Sequence, residues 1–362
     1  MSITERQRVL RTLRYEDVDR RPLHLAAPWT HTVQRWRREG LPGDQDPHEH
    51  LGVRGTAVIN LSPIYHDVYP PFEEKVIRED EQYVYHTDNY GCMRRDFKDH
   101  TSMPEWVEAP VKGPEDLRRV LDEHFRVDDM DGRFGPTWRE RVRKATESDA
   151  AVLVNGGGYY WAIRSLAGVE QASYLFYDAP ELVEEMFERQ FTVVMEGLRR
   201  VAKVTTIDLI GFGEDIAFKN GPLISPEMYR RLILPRYRKA MDYAHELGCR
   251  LTWYDSDGDL RLLIPDMLSV GINSASPCEV AAGMAPVELR ARFGRELRMF
   301  GGIDKRQIAR GREAIDAEIA RNLPIIREGG FVAGIDHSVP SDVSWDDYRY
   351  YIDAMRKAVR MS

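Results

Sequence analysis

Two acidic residues and a histidine, each placed where an apolar run stops, are the residues of this sequence best suited to chemistry. Asp255 and Asp257 follow the apolar run at residues 250–254, and His337 follows the run at 331–335. Alternate residues of an extended segment share a face, so the two carboxylates are expected on one side. Two carboxylates and an imidazole predict a three-ligand site for a divalent metal that keeps a coordination position open for catalysis.

The same acidic segment also has a purely structural interpretation. The sequence DSDGD at residues 255–259 is a good turn and helix N-cap sequence, because short acidic side chains accept hydrogen bonds from free backbone N–H groups. The second strand end, where Asp336 stands beside His337, favours a site over a turn. The metal site is therefore the working hypothesis.

Five consecutive apolar runs end in ionisable residues. Converging carboxylates are costly unless a cation or a charged substrate compensates them, so the set as a whole indicates a functional pocket. Glu214 is assigned to metal ligation or acid–base catalysis, and Asp215 and Lys305 are assigned to catalysis. Glu279 and Asp336 are assigned to substrate binding. For any one of these residues, a helix cap or a surface ion pair is the alternative.

Glycines and aromatic residues form the other distinctive stretch, NGGGYYW at residues 155–161. Three glycines after a strand allow the backbone to approach a ligand closely or to turn sharply into a helix. Tyr159, Tyr160 and Trp161 are expected at the rim of the pocket, where flat side chains line a site for a flat ligand. Packing in the core or at a subunit interface is the alternative for all three.

The elements that must position these residues alternate along the chain. Apolar runs typical of buried strands are separated by amphipathic helical patterns, which predicts βαβ units and a parallel sheet. Residues 1–20 are expected to form a helix, and residues 74–97 alternate as a β-hairpin insertion does. No linker divides the chain, so we expect one (β/α)8 barrel domain over residues 1–362, with its chemistry at the carboxyl ends of the strands. The predicted strands are 22–27, 151–155, 206–211, 250–254, 271–275, 297–302 and 331–335, and the strongest helices are 180–203, 225–247, 312–328 and 345–359.

Composition and charge argue against several functional classes. The 362 residues are 43% hydrophobic, which suffices for a large core. The 51 basic and 59 acidic residues are interspersed and give a net charge of −8, so nucleic-acid binding is not expected. No apolar segment has the length of a membrane span or the character of a signal core, and three scattered cysteines suggest reduced thiols. We expect a cytoplasmic enzyme that acts on a small molecule.

Eight short motifs spread along the chain carry a family resemblance. They are TERQRVL at residues 4–10, DRRP at 19–22, GPLISP at 221–226, LPRY at 234–237, HELG at 245–248, LIPD at 263–266, AAGM at 281–284 and GGID at 301–304. With them the chain resembles the uroporphyrinogen decarboxylase superfamily nearly end to end, in particular its branch of cobalamin-associated methyltransferases. The resemblance implies a (β/α)8 barrel and, in that branch, a zinc ion that activates a nucleophile or a methyl donor. It does not specify a substrate.

The departures from that branch concern the metal. Similar zinc methyltransferases commonly carry His-x-Cys at the acidic turn and a cysteine on the final strand, where this chain has Asp255, Asp257 and His337. Two carboxylates and an imidazole are harder ligands than thiolates, so manganese and iron are more plausible here than in a thiolate site. Zinc is still the metal expected first. The arginine-rich amino-terminal motif of true uroporphyrinogen decarboxylases is replaced by LHLAAPW at residues 23–29, which argues against tetrapyrrole decarboxylation.

The residues and the resemblance together lead to three hypotheses. The first is a metal-dependent methyltransferase that moves a methyl group from a small O- or N-methyl compound, such as an aryl methyl ether, to a corrinoid on a partner protein. The second is a metal-assisted lyase, decarboxylase or hydrolase that acts on a small organic acid with the same ligands. The third is a catalytically silent barrel that binds a tetrapyrrole or a corrinoid. A homodimer is left open.

Overall fold

Strands and helices alternate along most of the chain in the computed structural model, which describes residues 3–98 and 104–361. None of the described helices is long and apolar enough to span a membrane. The strands are β1 (Val58–Asn60), β2 (Lys75–Glu79), β3 (Tyr83–Thr87), β4 (Met93–Phe97), β5 (Glu105–Glu108), β6 (Ala151–Gly157), β7 (Leu209–Gly213), β8 (Ala217–Phe218), β9 (Gly221–Pro222), β10 (Thr252–Asp255), β11 (Ser274–Ala275), β12 (Arg298–Ile303) and β13 (Phe331–Ile335). The α-helices are α1 (Glu5–Leu13), α2 (Thr30–Arg38), α3 (Pro47–His50), α4 (Pro114–His124), α5 (Met130–Phe134), α6 (Trp138–Glu147), α7 (Tyr159–Asp178), α8 (Pro180–Ala202), α9 (Pro226–Met228), α10 (Leu234–Glu246), α11 (Ile264–Ser269), α12 (Pro286–Phe293), α13 (Lys305–Ile308), α14 (Arg312–Glu328) and α15 (Trp345–Ala358).

Eight parallel segments pair into a closed ring. The segment at residues 23–24 pairs with the chain at Gly55, just before β1, and β1, β6, β7 and β10 form one continuous sheet. A bridge between Asp255 and Ser276 joins β10 to the sheet of β11, β12 and β13, and a bridge to Gly334 on β13 returns to the first segment. The ring confirms the predicted (β/α)8 barrel, whose active sites lie at the carboxyl ends of the strands.

Two parts of the architecture differ from the sequence pattern. The barrel strand β1 escaped prediction because it has only three residues, so its apolar run is too short to stand out in the sequence. Residues 74–97 hold three strands instead of the two of a hairpin, and with β5 they form an antiparallel sheet in the order β2-β3-β4-β5. The turn between β3 and β4 is held by the Asp88 carboxylate, which accepts hydrogen bonds from the backbone of Tyr90 and Cys92.

The amino-terminal helix closes the bottom of the barrel. A capping box of Thr4 and Gln7 starts α1, and each side chain bonds the other residue's backbone. Val9, Leu10 and Leu13 then pack against apolar side chains of the barrel interior. Those side chains belong to Ala151, Leu209, Leu251, Phe300 and Val332. Because α1 seals the amino ends of the strands, a ligand can enter the ring only from the carboxyl ends.

Truncation of one side chain in this seal tests its contribution. Leu13 is fully buried, so Leu13→Ala should lower the free energy of unfolding by roughly 2–5 kcal/mol, through lost burial and a residual cavity. Leu262→Ala removes the same atoms from a side chain that is 58% exposed, and its effect should stay within about 0.5 kcal/mol. Urea unfolding followed by circular dichroism measures both. Equal effects of the two substitutions would show that α1 does not seal the barrel.

Candidate active site at the open end of the barrel

A cavity of about 600 Å³ opens into the barrel from its carboxyl end. Its wall is built from alternate residues of four neighbouring strands, because alternate side chains of a strand point to the same face. On β7 the inward positions are Gly211 and Gly213; the Leu153 side chain fills the space in front of Gly211, and no side chain fills the space in front of Gly213. The inward residues of β1, β6 and β10 are Val58, Asn60, Leu153, Asn155, Trp253 and Asp255.

Three residues that could ligate a metal meet at the mouth of the barrel. One oxygen or nitrogen atom from each of Asp257, Glu279 and His337 lies within 4.8 Å of the other two. The His337 Nε2 atom is 3.5 Å from Asp257 Oδ2, and hydrogen bonding to that carboxylate raises the pKa of His337. On the other side, Lys305 Nζ lies 3.3 Å from Glu279 Oε1. Each carboxylate of the group is thus already paired with a basic side chain.

This group differs from the predicted ligand set by one residue. Asp257 and His337 belong to it, but Glu279, predicted to bind substrate, stands in the place expected for Asp255. The argument from alternation failed because β10 ends at Asp255, so Asp257 already lies in the following loop. Asp255 instead borders the cavity, where enclosure by the protein and the charges of Asp215 and Asp257 raise its pKa to about 6.

Hydrogen bonds hold the acidic loop that follows β10. The buried Ser256 Oγ accepts from the Ile216 backbone N–H at 3.0 Å and donates to the Asp257 carbonyl at 3.1 Å. The Gly258 N–H donates to Glu279 Oε2 at 3.2 Å. Gly258 has φ 84°, and a Cβ there would lie 2.7 Å from the backbone of the loop after β7, so this tight turn requires glycine. The turn brings Asp257 to Glu279.

The donor set fits a divalent cation of hard or borderline character. Carboxylate oxygens and an imidazole nitrogen are ligands of zinc, manganese and iron alike. A thiolate is not at hand in this part of the site: Cys278, next to Glu279 in sequence, is buried, and burial raises the pKa of its thiol to about 12. The residues present therefore favour a site of oxygen and nitrogen ligands.

Glu214, predicted as a ligand or an acid–base group, anchors a helix instead. Its side chain is fully buried, and burial raises its pKa to about 7. Oε1 accepts the N–H of Tyr159 at 2.9 Å, and Oε2 accepts those of Tyr160 at 2.7 Å and Trp161 at 3.1 Å. The Tyr237 hydroxyl also donates to Oε1. The first turn of α7 thus occupies both oxygens, since those N–H groups have no partner within the helix.

Of the three aromatic residues predicted to line the pocket, only Trp161 does so. Tyr159 and Tyr160 are fully buried in the core, and the prediction was wrong for both. The reason is that α7 begins at Tyr159, and consecutive residues of a helix point in different directions. The Trp161 Nε1 atom donates to the Tyr90 hydroxyl at 3.2 Å, which in turn donates to Asp67 at 2.6 Å. The antiparallel sheet thereby fixes the indole at the cavity wall.

Asp336, predicted to bind substrate, is a second buried anchor. It is fully buried, and burial raises its pKa to about 6. Its Oδ2 accepts the Val280 N–H at 2.9 Å, and its Oδ1 accepts the Lys305 N–H at 3.0 Å. Because both oxygens are used, Asp336 positions the loop that carries Glu279 and the helix that begins with Lys305, and it presents no oxygen to a ligand.

Asp215 lies between the cavity and the potential ligands. Arg164 Nη1 is 3.2 Å from its carboxylate, and the Asp257 N–H donates to that carboxylate at 3.4 Å. Burial and the charge of Asp257 raise the pKa of Asp215, while Arg164 opposes this shift. Asp215 and Lys305 both stand at the mouth where the sequence analysis put them, and their catalytic roles stay predictions.

Sequence analysis missed two residues that shape this site. Trp253 precedes Asp255 by two residues on β10, so the period of a strand was a signal that both face the cavity. Arg164 follows Trp161 by three residues on α7, the spacing that puts two helical residues on one face, and its guanidinium lies 5.6 Å from the Trp161 ring centroid. Both patterns can be interpreted only once the strand and helix boundaries are known.

Comparisons with known proteins agree on the fold. A family model described as Uroporphyrinogen decarboxylase (URO-D) matches residues 93–358. A solved structure of a methyltransferase from Methanosarcina mazei superposes with a TM-score of 0.59 at 16% sequence identity, over 98% of this chain and 99% of that chain. A B12-independent methionine synthase from Shewanella sp. W3-18-1 gives a TM-score of 0.44 at 11% identity, over 86% of this chain and 83% of that chain. Comparison with curated proteins finds no match.

The role of Glu214 as an anchor makes a testable prediction. An amide offers one acceptor oxygen where the carboxylate offers two, so Glu214→Gln leaves backbone N–H groups of α7 unpaired and should cost roughly 1–3 kcal/mol of stability. Glu181 lies exposed in the first turn of α8, and Glu181→Gln should be nearly neutral. Thermal and urea unfolding compare the two. A Glu214→Gln protein of wild-type stability would return Glu214 to the list of catalytic candidates.

Proposed function

Because the chain belongs to the uroporphyrinogen decarboxylase (URO-D) family, we propose that it is a metal-dependent methyltransferase of that family. It takes a methyl group from a small O- or N-methyl compound and passes it to a corrinoid on a separate protein. The observation that carries this proposal is the meeting of Asp257, Glu279 and His337 beside a cavity that opens to solvent. The likeness of fold to the methyltransferase from Methanosarcina mazei supports the choice of reaction.

Asp257, Glu279 and His337 would hold the divalent ion, zinc first and manganese or iron as alternatives. When bound, the ion supplies Lewis-acid activation of the heteroatom that carries the methyl group. Lys305, whose Nζ lies 3.3 Å from Glu279 Oε1, would stand beside the bound ion and share that carboxylate with it. Its ammonium group is available to supply a proton or a positive charge to the demethylated heteroatom.

The cavity provides the binding site for the methyl donor. Trp161 and Trp253 form rigid apolar walls, and Asn60 and Asn155 offer hydrogen bonds. Asp215 keeps Arg164 at the mouth, where Arg164 lines a smaller pocket together with Asp257 and Glu279. A carrier protein would present its corrinoid at this open end in a transient encounter of modest area.

Metal content is the direct test of the ligand group. Protein purified without chelator should contain about one divalent metal per chain by elemental analysis, because three protein ligands plus water suffice for a catalytic site. His337→Ala should lose most of that metal. The control His50→Ala removes an exposed imidazole from α3, and this variant should keep the metal content of the wild type.

The same measurement should depend on pH. Metal binding requires neutral His337, and pairing with Asp257 raises the pKa of this imidazole above its ordinary value of 6.5. Affinity should therefore fall as the pH drops through that raised pKa, and the loss should begin at a higher pH than for an unpaired histidine. Wild-type protein without metal, or metal that persists in His337→Ala, would contradict the proposed site.

Methyl transfer itself is tested with a corrinoid acceptor. Metal-loaded protein, a panel of methyl ethers and methylated amines, and reduced corrinoid, free or on a carrier protein, should give methylcorrinoid, seen as a change in the cobalt absorption spectrum. Asp257→Ala should abolish the change because it removes a ligand. Turnover of a small organic acid without corrinoid would instead favour the lyase, decarboxylase or hydrolase alternative, which uses the same ligands. A metal-free protein that binds corrinoid without turnover would favour the silent barrel.

A further inference from the structure

The charged side chains in the wall of the barrel cavity indicate which class of substrate the cavity binds. Its lining contains Trp161 and Trp253 together with the carboxylates of Asp215 and Asp255 and the imidazole of His66, and it contains no lysine or arginine. We infer that this cavity binds a positively charged group of alkylammonium type and discriminates against uncharged and anionic groups of the same shape. The inference deepens the proposed function and rests on it only in taking the cavity as the place where the methyl donor binds.

The two indoles are held in place before any ligand arrives. Trp253 stacks on Phe300 with ring centroids 4.5 Å apart and an angle of 11° between the planes, and Trp161 is tied to Tyr90 through its Nε1 atom. Tryptophan is the side chain that attracts cations most strongly through its ring face. Because neither ring has to be ordered on binding, little entropy is lost when a cation approaches.

Asp255 supplies the charge that selects among ligands. Asp215 is already paired with Arg164, whereas Asp255 has no lysine or arginine partner among the described residues. Its carboxylate faces the cavity at the strand end above Trp253. A carboxylate at a cavity wall that has no lysine or arginine partner attracts a cation and repels a second carboxylate. The same residue therefore disfavours small organic acids as substrates.

Of the two inward glycines of β7, Gly213 leaves room for such a group. A Cβ built on Gly211 would lie 2.7 Å from the Leu153 side chain, but a Cβ built on Gly213 meets no atom within 4 Å. The backbone of Gly213 has no positive φ that would exclude a larger residue. Gly213→Leu should therefore fold normally and place its side chain in the cavity, which gives a way to block the site without disturbing the ligand group.

Three soluble ligands of matched shape test the charge preference. Choline is the cation, 3,3-dimethylbutan-1-ol is its uncharged isostere, and 3,3-dimethylbutanoate is an anion of similar shape. Titration calorimetry at pH 8, on protein as purified and after treatment with EDTA, should show choline bound at least about tenfold more tightly than the alcohol. The butanoate should not bind measurably to the EDTA-treated protein, because no lysine or arginine lines the cavity.

Three variants locate the binding. Gly213→Leu should lose choline binding while it keeps the wild-type circular dichroism spectrum and thermal midpoint. Asp255→Asn should bring the ratio of choline to alcohol affinity from about tenfold toward one. Asp44→Asn, a matched change at an exposed turn, should leave the ratio unaltered.

The outcomes separate this inference from the proposed function. If wild-type protein binds no choline, or binds the alcohol or the butanoate as tightly, the inference is overturned, as it is if Gly213→Leu binds choline normally. If the preference is found and depends on Asp255 but no methyl group reaches a corrinoid, the inference stands and the methyltransferase proposal fails. If an anionic methyl donor is turned over and choline is not bound, the methyltransferase proposal stands and this inference fails.

Discussion

Two buried carboxylates, Glu214 and Asp336, organise the open end of the barrel. Burying a carboxylate is costly unless its oxygens are satisfied, and in both residues backbone N–H groups from other segments satisfy them. Through Glu214 the start of α7 is fixed, and with it the place of Trp161 at the cavity wall. Through Asp336 the loop of Glu279 and the start of α13 at Lys305 are fixed. The side chains that could act on a substrate thus depend on carboxylates that never meet it.

Sequence reasoning located the correct end of the barrel, because Asp257 and His337 follow long apolar runs whose parallel arrangement is predictable. Glu279 was harder to rank, since β11 has only two residues and ends at Ala275, as the predicted strand does, and Glu279 lies further along the following loop. The sequence analysis placed Asp255 in the ligand group, where the structure has Glu279. This error arose from the position at which β10 ends, and strand boundaries are the least certain part of a sequence pattern. The meeting of Asp257 and His337 was therefore predictable, and the third member of their group was not.

Burial was the other quantity that the sequence could not supply. Glu214 and Asp215 are neighbours in one acidic pair, yet one is fully buried against a helix and the other borders the cavity. The same division separates Tyr159 and Tyr160 from Trp161, although the three are consecutive residues of one helix. A residue at a strand end carries out chemistry only if its polar atoms are left free by the backbone around it. That condition is set by tertiary contacts, which residue type and spacing do not encode.

The ring of strands is closed by a seam between the segment at residues 23–24 and β13, and beside it Arg20 bridges to Arg360. The first and last segments of the barrel are thus neighbours. On the ribosome, the first barrel segment has an unpaired edge until β13 has emerged, so ring closure is the last step in building the barrel. An unfinished chain exposes that edge together with the apolar interior, which are the features that drive aggregation. Incomplete products of translation should consequently depend on chaperones far more than the finished protein does.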